Sequence, residues 1–560
     1  MKRRPSGSTA GTSAAPLRVA VVGAGIGGLS AAALLAKAGC AVDLYERRLE
    51  TGGKAASVQL GGYRFDTGPS LFTMPWVFDD FFAVLGERRE DRFRIIPLEP
   101  ICNYFYSDGT RLSAFGDERR FAAEIEAKTR STAAELGRYL RSARRLWSVA
   151  GDLFLRHSLH EPSTYLSRSG LWSIARLPLL DPFRTLHGAN AAAFADPRIA
   201  QLFDRYATYN GSDPYKTPAT MRIVPHVEYQ WGGWAVAGGI VSVPRAMEAA
   251  ARSAGVRFHL GQEVEEIVVE GRSTDRRGVG RGGEFGGGGS GTTGDGAATP
   301  GPGDTCRVRG IRVGGVELDY DIVLSNADVL STYRRLLKAP DAPEAKRYEK
   351  LEPSSSGLVF LWGIGRRFDQ LSSNNIFFSS DYRREFSRIF DQGLLPDDPT
   401  IYINITSKTC AEDAPVGGQD ARTSAAGSMT GPSGKGENWF VLINAPKHAG
   451  QDWTAMAAQA RAAALKRLSR ELGADIEPLI EAEQCITPDI IERETGSTYG
   501  SLYGIASNDR SAAFLRHPNR SARIKGLYFA GGSAHPGGGM PLALLSGTIA
   551  AQLALKYGNR

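Results

Sequence analysis

An α/β fold with a parallel sheet is predicted by three features near the N-terminus. These are the β-branched run Leu17–Val22, the glycine cluster GAGIGG at 23–28 opening an alanine- and leucine-rich stretch, and a second apolar run, Ala41–Tyr45, that ends on Glu46. A strand, a tight turn and a helix through Leu35, stopped by Gly39, account for the first two. The uncharged run from Val19 to Ala36 follows Lys2, Arg3 and Arg4 and has the length of a signal anchor. Its glycines break it after the first third, so strand, turn and helix is the better reading.

The turn is a G-x-G-x-x-G match with a mechanical reason for each glycine. Gly23 allows the tight turn, Gly25 lets a pyrophosphate approach the backbone, and Gly28 lets helix and strand pack closely, with Gly27 between them. The free N–H groups and positive dipole end of the helix then face the phosphates. Glu46 lies 21 residues after Gly25, where a carboxylate meets ribose hydroxyls and repels a 2'-phosphate. Strand, turn, helix, strand and acid in order predict a Rossmann-like dinucleotide site.

The length of 560 residues corresponds to three or four domain equivalents, which a large enzyme can fold as two interleaved domains. Hydrophobic residues at 42% and charged residues at 23% exclude a mostly disordered or collagen-like chain, and a mean hydropathy of −0.24 argues against a polytopic membrane protein. The cysteines (Cys40, Cys102, Cys306, Cys410, Cys485) form no C-x-x-C pair, which argues against a zinc site or a disulfide framework and fits a reducing, cytoplasmic setting. A net charge of +7 favours anionic surfaces, but no nucleic-acid module accompanies it, so no nucleic-acid partner is expected.

Residues 1–16 read as a disordered lead-in. Two low-complexity stretches, 271–305 and 411–437, read as disordered insertions. Each sits between strand-like runs: Val264–Val269 and Val308–Val313 flank the first, Ile401–Ile405 and Trp439–Ile443 the second, as in long hairpin connections. Around Arg138–Arg156 the residues Tyr139, Leu140, Ala143, Leu146, Trp147, Ala150, Leu153 and Phe154 share one helical face, with Arg138, Arg141, Arg145 and Arg156 largely elsewhere. Two readings stay open: a helix lying on a membrane surface, or a core helix with a solvated arginine face. Leu171, Trp172, Ile174, Leu177, Leu179 and Leu180 form an apolar segment suited to a lipophilic entrance. Tyr206, Tyr209, Tyr215, His226, Tyr229, Trp231 and Trp234 suit either a tunnel lining or core packing.

Near the C-terminus, Leu527–Ala530 reads as a short strand, GGSAHPGGGM as a glycine-rich turn, and Pro541–Leu555 as a helix whose N-terminus offers N–H groups to a cofactor. Together, ERRLETGGKA at 46–55, GYRFDTGPS at 62–70 and GLYFAGGSAHPGGGMPLALLSG at 526–547 resemble the FAD enzymes of the glutathione-reductase-like group that includes amine oxidases and carotenoid desaturases, and most of all the bacterial phytoene-type desaturases.

The resemblance implies an FAD-binding domain of residues 17–110, 236–345 and 490–560, interleaved with an α+β substrate and membrane-docking domain of residues 111–235 and 346–489. It implies FAD contacts from Gly23, Gly25, Gly27, Gly28, Glu46, Arg47, Gly53, Lys54, Val264, Gly532, Ser533, Gly539 and Met540. Ser533, His535, Gly538, Gly539 and Met540 are expected closest to the isoalloxazine, with His535 read as a hydrogen-bonder of the turn in preference to a proton-transfer group. Gly238 and Gly239 with their helix, and the returning strand and turn at Ser325, Asn326, Ala327 and Asp328, complete the expected cofactor domain.

HPGGGMPLALLSG looks closest to desaturases that introduce the 3,4 double bond into 1-hydroxylated acyclic carotenoids, with phytoene desaturation next. A flavin amine oxidase and a non-enzymatic isoprenoid escort are the readings from other classes. The implied partners are an acyclic carotenoid, a membrane surface met peripherally, and oxygen or a quinone as electron acceptor. No catalytic base is assigned.

Overall fold

The computed structural model describes residues 15–166, 172, 176, 180–271, 306–415, 435–509 and 516–558. Most of the expected lead-in, most of the apolar segment around 171–179, and residues 272–305 and 416–434 of the two insertions lie outside the described residues.

The first sheet is parallel. Strand β1 (Arg18–Val22) runs beside β2 (Ala41–Glu46) on one side and Ile322–Ser325 on the other, with Arg257–Leu260 and Leu527–Phe529 at the edges. Helix α1 (Ile26–Lys37) joins β1 to β2 as the glycine motif requires, and nine of its twelve residues are buried. Buried parallel strands are nearly all apolar, and Val19, Ala20, Val21, Leu44, Val323 and Leu324 fit that rule. In a smaller sheet Val264–Gly271 pairs antiparallel with Cys306–Val313, so the first low-complexity stretch is the hairpin connection that its flanks suggested.

A second large sheet has seven strands in the order Ile480–Ile486, Ser356–Ile364, Glu437–Ala445, Ile401–Ile405, Asn374–Phe377, Cys102–Phe105 and Arg111–Ala114. All its pairings are antiparallel except that of Asn374–Phe377 with Cys102–Phe105. Cys102–Phe105 was expected in the cofactor domain by the boundary at 110. It runs here because Tyr104 and Phe105 stack on Phe378 and Phe377. Strands Ile401–Ile405 and Glu437–Ala445 pair, so the second insertion also connects a hairpin.

The ends of that second stretch correct the expectation of disorder over 411–437. Ala411–Asp413 forms a short 3-10 turn, and buried Asp413 accepts from Nε and Nη2 of Arg64, each at 2.6 Å. Glu437 is buried at the start of its strand and pairs with Lys408 at 2.6 Å. Both carboxylates stay folded in because each has a cation to meet, although composition alone marks them as solvated.

The long helix Ala133–Arg156 starts at a capping box, with Thr132 accepting from the Glu135 backbone N–H and the Glu135 carboxylate accepting from that of Thr132. Its apolar face packs into the protein. Leu136, Tyr139, Leu140, Ala143, Leu146 and Val149 are buried, and Tyr139 packs on Phe194 and Phe203. The core reading of that face therefore holds, with Arg138, Arg141, Arg144 and Arg145 exposed.

Asp413→Ala leaves Arg64 with one carboxylate, Asp66 at 2.7 Å, in place of two. Breaking a buried pair from one side costs about 3 kcal/mol or more. The variant is expected to unfold at a clearly lower denaturant concentration than wild type, and an unchanged midpoint would contradict this account of the turn.

Candidate functional site

The glycine turn is built by backbone contacts that exclude side chains. Glu46 accepts from the backbone N–H of Ala24 at 2.8 Å and of Arg48 at 3.0 Å, tying the end of β2 to the turn. Gly23 has φ +96°, a conformation that L side chains rarely adopt. A Cβ on Gly25 would stand 2.8 Å from Asn326 Nδ2, and one on Gly27 would stand 2.6 Å from Asn326 Oδ1 and 2.8 Å from the Gly531 nitrogen. Gly28 does not face the cavity. A Cβ there would run into the Gly23 carbonyl, so its role is the close packing expected of the third glycine.

One cavity of ≈ 990 Å³ opens in front of this turn. Of the residues expected to contact FAD, Gly23, Gly25, Gly27, Glu46, Arg47, Gly53, Lys54, Val264, Gly532, Ser533, Gly539 and Met540 all line it. Lys54 Nζ donates to the carbonyls of Ser501 at 3.2 Å and Leu502 at 2.8 Å. Burial pushes its ammonium down to about 8, against an opposing pull from Asp328. Ser533 Oγ accepts from the Val329 backbone at 3.0 Å, so this hydroxyl also holds the turn together. Arg47 donates to the carbonyls of Arg493 at 2.9 Å and Glu494 at 2.7 Å, closing the far rim.

His535 departs from its expected place. It does not line the cavity, its Nε2 lies 2.9 Å from the His157 carbonyl oxygen, and burial pushes it down to about 3. A neutral, enclosed imidazole of this kind is a turn-holding group. Gly538 and Gly539 remain at the wall, with the ring of Tyr503 closing on Gly538.

The cradle fits FAD. Asn326 Oδ1 is buried with no hydrogen-bond partner among the described residues, and Asn326 lines the cavity, where its acceptor matches a sugar or ribityl hydroxyl. The C-terminal helix Met540–Tyr557 begins at the cavity wall, so the positive end of its dipole faces the space a polar ligand would fill. Bound there, FAD supplies a two-electron acceptor for hydride removed from carbon.

Beyond the cradle the cavity continues over the seven-stranded sheet. Ile486, Val359, Leu442, Tyr402 and Ile376 are successive register partners across five strands, and all five line the cavity. At roughly 4.8 Å per strand, the four steps cover about 19 Å. The next partner in the row is Tyr104, whose hydroxyl accepts from Arg205 Nε at 2.9 Å.

Arg205, Tyr209 and Glu228 line this end and form a cluster, of which the sequence reading named Tyr209 as a possible tunnel lining and missed Arg205 and Glu228. Of the aromatic stretch between 206 and 234, only Tyr209 reaches the cavity. Tyr229 stacks on Phe121 and Trp231 packs on Trp147, so core packing is the right reading for those two. A charged pair inside an aromatic-rich segment was the available signal.

The arrangement of cradle and row defines an FAD-dependent oxidoreductase with a deep, mostly apolar substrate slot. The family model "Flavin containing amine oxidoreductase" matches residues 26–286. The chain is 39% identical to the 1-hydroxycarotenoid 3,4-desaturase of Flavobacterium sp. (strain P99-3), over 95% of this chain and 98% of that one. It is 32% identical to the 4,4'-diapolycopene oxygenase of Methylomonas sp, over 95% and 97%. In fold it is similar to a putrescine oxidase variant, with a TM-score of 0.56 at 13% identity over 97% of this chain and 99% of that one. The chain belongs to the carotenoid desaturase family, as the resemblance of its glycine-rich segments implies.

Gly25→Val places a side chain against Asn326 and the phosphate path, and is expected to abolish flavin retention, read as loss of the oxidised-flavin absorbance after purification. Lys54 gives a pH signature. Its folded value lies below the unfolded 10.5, so its contribution to stability is full above 10.5 and is lost as pH falls through about 8. Cofactor-free wild type should therefore gain thermal stability relative to Lys54→Met as pH rises from about 8 to 10. A pH-independent difference would show that the ammonium is not held out of water.

Proposed function

We propose that the protein is an FAD-dependent carotenoid desaturase that introduces the 3,4 double bond into a 1-hydroxylated acyclic carotenoid. The observation that carries this reading is the continuity of the cavity from the glycine cradle onto the row Ile486, Val359, Leu442, Tyr402 and Ile376. A small amine needs a short pocket, whereas a straight row of about 19 Å suits an extended polyene. The similarity to the Flavobacterium 1-hydroxycarotenoid 3,4-desaturase supports the choice of substrate.

Desaturation takes a hydride from one carbon and a proton from its neighbour. The chain's part is to hold one C–C bond at the cradle, keep water out, and leave the positive charge that develops to the conjugated chain. Val359, Leu442, Ile376 and Phe440 supply apolar contact. The electrons pass on to oxygen or a quinone.

Incubated with FAD, the protein is expected to convert a 1-hydroxylated acyclic carotenoid far faster than phytoene, giving a product two hydrogens lighter that absorbs at longer wavelength. A product heavier by oxygen would favour an oxygenase, and efficient conversion of phytoene alone would favour a phytoene desaturase.

The substrate is too apolar to reach the slot through water, so the protein takes it from a bilayer while bound at its surface. No helix among the described residues is long and apolar enough to cross a membrane. The exposed Arg138, Arg141, Arg144 and Arg145 supply a basic face, and Leu166, Trp172 and Phe183 are exposed apolar side chains. Co-sedimentation with anionic liposomes should fall when Arg141 and Arg145 become Glu and when salt is raised. Insensitivity to both changes would remove this face from the account.

A further inference from the structure

An apolar polyene needs no buried ion pair beside it, yet Arg205 and Glu228 meet at 3.2 Å in the cavity wall, both almost fully buried. Three phenols surround the pair. Tyr206 donates to Glu228 Oε1 at 2.7 Å and Tyr209 to Oε2 at 2.5 Å, while Arg205 donates to the hydroxyls of Tyr104, Tyr206 and Tyr209.

The hydrogen-bond capacity of this group is not used up. A guanidinium has five N–H donors, and four bonds leave Arg205, from Nε, Nη1 and twice from Nη2, so one Nη1 proton has no partner among the described residues. Glu228 Oε1 accepts two bonds and Oε2 one, leaving an acceptor site on Oε2. Tyr209 holds the two open positions at one spacing, since it accepts from Arg205 Nη1 and donates to Glu228 Oε2, and without its hydroxyl the two groups are no longer aimed at a common oxygen.

The polar group around Tyr402, also in the wall, lacks that pairing of donor and acceptor. Tyr402 donates to Asn374 Oδ1 at 2.8 Å, Asn404 donates to the same oxygen at 2.8 Å, and Ser70 Oγ lies 2.6 Å from the Tyr402 hydroxyl. It holds no charge, and its best acceptor is already filled.

We infer that the Arg205–Tyr209–Glu228 cluster is the receptor for the substrate's hydroxyl, which donates to Glu228 Oε2 and accepts from Arg205 Nη1. The inference rests on the hydroxycarotenoid reading and names the residues that set its specificity. An alcohol is one donor and one acceptor on a single oxygen, which is the complement of the two open positions. A hydrocarbon end at the same place leaves both unpaired, which is how a polar site rejects an analogue that lacks the hydroxyl.

The cluster and the cradle line one cavity. Two residues beyond Tyr209, a Cβ on Gly211 would stand 3.1 Å from the Tyr503 ring, and that ring closes on Gly538 of the cradle. A hydroxyl on C1 is only two carbons from the bond that becomes C3=C4, so hydroxyl receptor and cradle have to face a common region.

The test compares kcat/KM for a 1-hydroxylated acyclic carotenoid and for the same carotenoid without the hydroxyl, in wild type, Glu228→Gln, Tyr209→Phe and Tyr402→Phe, each loaded with FAD. Wild type should prefer the hydroxylated substrate, and the ratio should fall roughly tenfold to a hundredfold in Glu228→Gln and in Tyr209→Phe, but not in Tyr402→Phe. Flavin content and melting temperature report folding. If Glu228→Gln, which alters a buried charge, does not fold, the milder Tyr209→Phe decides alone.

A wild type that prefers the hydroxylated substrate, with the ratio retained in the folded cluster variants or lost only in Tyr402→Phe, overturns the assignment of the cluster and leaves the functional reading standing. A wild type that converts carotenoids without preferring the hydroxyl overturns the receptor itself. One that converts neither carotenoid overturns the functional reading and the receptor with it.

Discussion

The cavity depends on one contact that only glycine permits, the backbone-to-backbone packing of α1 on the helix Met540–Tyr557. A Cβ on Gly547 would run into the Gly27 carbonyl, and one on Gly27 would crowd the Gly531 nitrogen. Ser30 Oγ locks the pair by donating to the Leu544 carbonyl at 3.0 Å. Because these two helices touch, the first glycine turn and the C-terminal glycine turn open on one space, and the ends of Ile322–Ser325 and Leu527–Phe529 fall beside it. Interiors are packed too densely for a side chain to be added there without moving both turns.

The seven-stranded sheet does a different job. Its register carries a row of side chains along the cavity, and the pleat keeps that row on one face. Where the row reaches Tyr104, its character changes from hydrocarbon to hydrogen bond. Charges taken out of water there are tolerable because each oxygen and most of each guanidinium edge already have partners. The same enclosure keeps neighbouring phenols protonated, as burial raises Tyr104, Tyr206 and Tyr209 well above the ordinary value. They therefore remain donors through the physiological pH range.

The cofactor cradle was largely legible in the sequence and the substrate wall was not, for a physical reason. Gly23, Gly25, Gly27 and Glu46 act through backbone geometry at fixed local spacing, so their roles survive in a string of letters. The wall is made by register, and nothing local tells that Ile486, 110 residues from Ile376, stands four strands away from it in one row. The arginine-bearing helix shows the other limit. Period 3.6 identified its apolar face correctly, but whether that face meets lipid or Phe194 and Phe203 is decided by tertiary packing. His535 holds the turn as its hydrogen-bonding reading expects, through the His157 carbonyl, but it does not line the cavity, because a motif gives proximity along the chain and not the direction in which a side chain turns. Asp413 and Glu437 fell inside a stretch read as disordered, since composition does not reveal a distant cation such as Arg64.

The contact between the two glycine helices also sets a schedule for biosynthesis. Ser30 and Leu544 are 514 residues apart, so at roughly 5–20 residues per second a ribosome makes the second helix about 25–100 s after the first. During that interval the apolar strand β1 waits first for Ile322–Ser325 as its neighbour, and that strand in turn waits for Leu527–Phe529. The nascent chain thus carries an open sheet edge and an unclosed apolar floor for most of its synthesis, and no cofactor can be retained until both helices have met. A chain that ends before residue 540 has the first glycine turn but lacks the helix that forms the opposite wall of the cradle.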